Sequence, residues 1–108
     1  MLAVSMYVDI LSSALDTWVD ELSGRALIDY ALSCRAEVLA VGPHRDTAYS
    51  TLAAQVAYDR VLIKLCETNG VPVMAASFAY PREERTRLEA ELAIAGVDLA
   101  ALARQRGA

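Results

Sequence analysis

At 108 residues, 56% apolar and 22% charged, the chain has the length of one domain and enough apolar content to close a single core, which excludes disorder. Two cysteines, at 34 and 66 and in no metal-like spacing, exclude a disulfide framework. A net charge of −4 with no Lys/Arg stripe argues against a nucleic-acid surface.

The first helix is expected over residues 2–22, ending at Ser23-Gly24, where glycine takes the left-handed conformation that closes helices. All of the net charge falls on this segment, as Asp9, Asp16, Asp20 and Glu21 with no basic residue, while charges in the rest of the chain balance. At about 100° per residue Asp9, Asp16 and Asp20 form one narrow column, with Tyr7, Leu11, Leu15, Trp18 and Leu22 opposite. The column reads as the solvated face of an amphipathic helix, or as an acidic stripe for a basic partner.

A second helix is expected from Arg25 to Ala40, stopped by Gly42-Pro43. Arg25, Asp29, Ser33 and Glu37 share its polar side, and Leu27, Tyr30, Cys34 and Val38 its apolar one. Arg35 falls outside the polar stripe, which suits a buried stem with a wet head, or an ion pair with a carboxylate of the first helix.

The third helix, capped by Asp46 or Thr47 and closed by Asn69-Gly70, is apolar on two sides: Leu52, Val56, Ile63 and Cys66 on one, Ala54, Tyr58, Val61 and Leu65 on the other. Such a helix is central in a bundle or sandwiched between subunits. Gln55 and Asp59 interrupt its first apolar face. A buried carboxylate needs a cation or hydrogen-bond donors, and Arg35, Arg60, Tyr30 and Tyr49 are the expected partners. Because a desolvated acid beside a charge is also what functional sites use, Asp59, Gln55 and Arg35 are the candidate ligand-binding residues.

Residues 71–80 admit a short strand, but with no partner strand elsewhere an apolar connector fits better. Pro81 suits the first position of a fourth helix, with Glu83 and Glu84 in its first turn and Glu83 paired with Arg87 four residues on. Gly96 ends it, and Asp98 caps a last helix from Leu99 to about Gln105.

These elements predict an all-α fold: one compact antiparallel bundle of four to five helices spanning residues 1–108, packing as a homodimer. The chain shows no secretory signal and no run of ~18 apolar residues, so a cytoplasmic protein with no membrane partner is expected. There is no Gly-rich phosphate loop, no Gly-x-Ser-x-Gly and no Glu-x-x-His, and His44 is the single histidine. No catalytic residue, metal or cofactor is therefore expected. Two functional readings remain: a non-catalytic protein that self-associates or binds a protein partner, and a small-molecule or metal-ion site, enzymatic or not, around Asp59.

Overall fold

The computed structural model describes residues 7–11, 24–40 and 48–107, and every regular element among them is helical. They comprise α1, described over 7–11, α2 (Gly24–Ala40), α3 (Ala48–Thr68), a 3₁₀ helix (Ala75–Ala79), α4 (Pro81–Ile94) and α5 (Leu99–Gly107). Asp16, Asp20, the Gly42-Pro43 stop, His44, the Asp46/Thr47 cap and the side chain of Tyr49 lie outside the described residues.

Punctuation in the chain explains the element ends. Gly24 stands at the start of α2 with φ +55°, Gly70 follows α3 with φ +75°, and Gly96 follows α4 with φ +108°. These are backbone conformations in which any other side chain is strained. Pro81 opens α4 at a position where the missing N–H costs nothing. At the start of α5 the Asp98 carboxylate accepts the Ala101 N–H at 3.0 Å, the N-cap bond expected of that residue. The last helix runs two residues past its expected end, to Gly107.

The core lies along α3. Tyr58, Val61, Leu62, Ile63, Leu65 and Cys66 are all buried, so both of its apolar sides are covered. The covering elements are α2 and α4 of the same chain, with the 3₁₀ helix packed on α4 and α5 on α2 and α4. This accounts for the doubly apolar pattern without a second subunit. Tyr7 and Leu11 are buried and Asp9 is exposed, so α1 turns its apolar side inward where it is described.

Residues 71–80 form no strand. A turn holding Val71 to the Cys66 carbonyl (2.8 Å) leads into the 3₁₀ helix, which drives Phe78 fully into the core while Ala76 and Ser77 stay exposed. Phe78 anchors the 3₁₀ part of this connector, while Val71 is buried and Val73 packs against the core at its start.

Both cysteines are buried and free. Burial pushes the Cys66 thiol up to about 12 and raises that of Cys34 as well. Neither thiol should react with iodoacetamide at mildly alkaline pH until urea is added. Because Cys66 keeps its proton in the fold but loses it above about 9 when unfolded, this thiol's contribution to stability is full below that pH and is lost as pH climbs from 9 toward 12. The buried Tyr7 and Tyr58 hydroxyls, also raised, add to the fall. Urea midpoints measured across this range should decline steadily, with a shallower decline in Cys66→Ala.

Candidate functional site

Asp59 is fully buried, on the turn of α3 that faces α4. Arg85 of α4 grips it side-on, Nε to Oδ1 and Nη2 to Oδ2, both at 2.7 Å, and the Tyr7 hydroxyl donates to Oδ2. A fork of two parallel bonds from a permanent cation is the geometry that best satisfies a buried carboxylate. Burial nonetheless raises the Asp59 carboxyl above its ordinary value, with Arg85 and Tyr7 opposing the shift. For Arg85 burial works against the charge, and the Asp59 carboxylate more than offsets it.

The cation required by a buried acid is therefore present, but it is none of the expected ones. Arg60 reaches the Tyr30 hydroxyl instead, at 3.2 Å. Arg35 pairs with Glu89 of α4, Nε to Oε2 at 3.2 Å and Nη2 to Oε1 at 3.4 Å, rather than with a carboxylate of the first helix. The Tyr58 hydroxyl donates to the same Glu89 carboxylate. The Glu83–Arg87 pair is likewise replaced: Arg87 forks onto Glu84, at 2.9 and 2.7 Å, because Glu84 lies on the buried side of α4 in line with Leu88 and Leu92.

Two networks, Tyr7–Asp59–Arg85 and Arg35–Glu89–Tyr58, meet along α4, where Arg85 and Glu89 are one turn apart. Between α2, α3 and α4 they border a cleft of about 600 Å³. Rows at helical spacing line it: Arg35, Val38 and Leu39 from α2, Thr51, Gln55 and Tyr58 from α3, and Pro81, Arg82, Arg85, Thr86 and Glu89 from α4. No family model, curated protein or solved structure matches the chain. The chemistry of the cleft has to be read from its own residues.

Of the residues singled out in the sequence, Arg35 and Gln55 stand in the lining. Asp59 does not: it sits behind the wall and holds Arg85, which does line the cleft. The connector 71–80 contributes nothing to the walls, where Pro81 is the first residue of that region to appear. Asp9 is exposed on α1 and takes no part. The residues missed are Arg82, Arg85 and Glu89. Their signal was present in α4, where Pro81, Arg85 and Glu89 recur every four residues beside the buried Glu84–Leu88–Leu92 row.

The lining is rich in donors that are already held in place. Arg35 and Arg85 each spend Nε and Nη2 on a carboxylate, which fixes the plane of the guanidinium. Arg82 is exposed and has no ion-pair partner among the described residues. The Thr86 hydroxyl donates to the Arg82 carbonyl at 3.0 Å and keeps its lone pairs for a further donor. Among the described residues no three His, Cys, Asp or Glu side chains converge as metal ligands.

Proposed function

We propose that this protein binds a small organic molecule in the cleft between α2, α3 and α4. The observation that carries the reading is the convergence there of Arg35, Arg82 and Arg85, two of them oriented by buried or half-buried carboxylates, with Thr51, Gln55 and Thr86. A volume of about 600 Å³ falls within the ~300–1,000 Å³ typical of small-molecule sites. Orientation of the arginines before any ligand arrives lowers the ordering cost of binding.

A screen of small metabolites by thermal unfolding tests this, since a ligand of the folded state raises the melting temperature by mass action. At least one compound should raise it, and the rise should vanish in Thr86→Trp, which fills the cleft from an exposed position of α4. A flat response across the panel would overturn the reading.

Self-association is the second reading. It is supported by Leu39, Met74, Tyr80 and Ile94, which remain 67%, 70%, 67% and 82% exposed. A two-fold homodimer of antiparallel bundles in the cytoplasm, or a protein partner, would cover some of this surface. Sedimentation equilibrium at micromolar concentration distinguishes a dimer from a monomer.

A further inference from the structure

We propose that the ligand of this cleft is a small monocarboxylate with an apolar body, an assignment that rests on reading the cleft as a ligand site. Charge selects the class. Among the described residues three arginines line the cleft, set against the Glu89 carboxylate in its wall and the Asp59 carboxylate behind it, so one positive charge is left over. Arg82 carries that charge, since Arg35 and Arg85 are each matched by a carboxylate and Arg82 has no such partner among the described residues.

One carboxylate neutralises the cleft. A dianion leaves it negative beside Glu89, and an amine adds to a positive excess. A planar carboxylate also suits the fork of a guanidinium, which gives two parallel bonds. On the α2 side Val38 and Leu39 stand beside the Glu89-paired Arg35, and Leu39 is a large apolar side chain left mostly in water. Hydrocarbon laid against Leu39 removes that exposed surface, so the ligand has an apolar end facing α2 and an anionic end facing α4.

Four probes that share one phenylalkyl body test the class: phenylpropionate, phenylpropanamide, phenylpropylamine and benzylmalonate. Binding to the full chain is followed by amide NMR shifts at Thr51, Gln55 and Thr86. Phenylpropionate should bind about tenfold more tightly than its amide and than the dianionic benzylmalonate, and the amine should not bind. Arg82→Gln should remove about that tenfold for phenylpropionate and leave the amide unchanged. Arg82 is exposed, so this variant keeps the fold. Equal binding of acid and amide, or tighter binding of benzylmalonate, overturns the monocarboxylate assignment while leaving the cleft a ligand site. Absence of any shift with all four probes at millimolar concentration overturns both.

Discussion

Asp59→Asn should destabilise the fold by about 3–5 kcal/mol, the cost of breaking a buried ion pair by removing one partner. The amide is nearly the same size, so no cavity accounts for the loss. What changes is that the Arg85 guanidinium and the Tyr7 hydroxyl, both donors aimed at this group, meet one neutral acceptor oxygen in place of two charged ones. Against a total stability of about 5–15 kcal/mol for a domain, this is a large fraction. The combined replacement Asp59→Leu, Arg85→Met and Tyr7→Phe removes both charges and the hydroxyl that donates to the acid, and should recover much of the loss, because an apolar group of similar volume carries no desolvation cost. Urea denaturation of the three proteins measures both effects. A change in Asp59→Asn within about 0.5 kcal/mol, the range of ordinary surface substitutions, would show that the ion pair contributes nothing.

Phe78→Ala should cost a similar amount, about 3–5 kcal/mol. Phe78 is wholly buried, while Ala76, Ser77 and Tyr80 around it are exposed, so it is the side chain that holds the 3₁₀ helix against α4. Removing the ring leaves a cavity that a short connector between α3 and α4 has few other side chains to fill. Phe78→Leu, which keeps most of the volume, should lose well under half as much. Guanidinium unfolding midpoints report the difference, and equal losses in the two variants would mean that ring volume is not what anchors the segment.

Most helix ends could be read from the chain because they rest on local chemistry. Gly70, Pro81, Gly96 and Asp98 act on their own backbone or on the next few residues, and each does in the fold what its residue type dictates. The all-helical class follows from the same signals, since only 71–80 was open to a strand and no other segment of the chain offered it a partner strand. The need for a cation beside Asp59 was also legible, because an acid inside an apolar face has few alternatives. Which cation was not. Arg85 lies on a helix whose alternating Arg and Glu residues look like a solvated surface, and although Leu88 and Leu92 mark an inward side, their spacing alone does not say which carboxylate Arg85 reaches. The Glu83–Arg87 expectation failed for the same reason. The i,i+4 ion-pair rule takes no account of which carboxylate is buried, whereas the observed Glu84–Arg87 pair forms where burial makes a partner necessary. The cleft is a further step removed: it exists only once α2, α3 and α4 have met.

The group formed by Tyr7, Asp59 and Arg85 draws on three stretches of chain, 52 and 26 residues apart from the central acid. Loss of Asp59 alone strands two donors, and loss of Arg85 alone strands a carboxylate that water does not reach. Descent with modification is therefore expected to treat the acid and the arginine as one heritable character. In a diverged copy of this gene, codons 59 and 85 should be found altered together or kept together, with codon 7 following whichever choice they make.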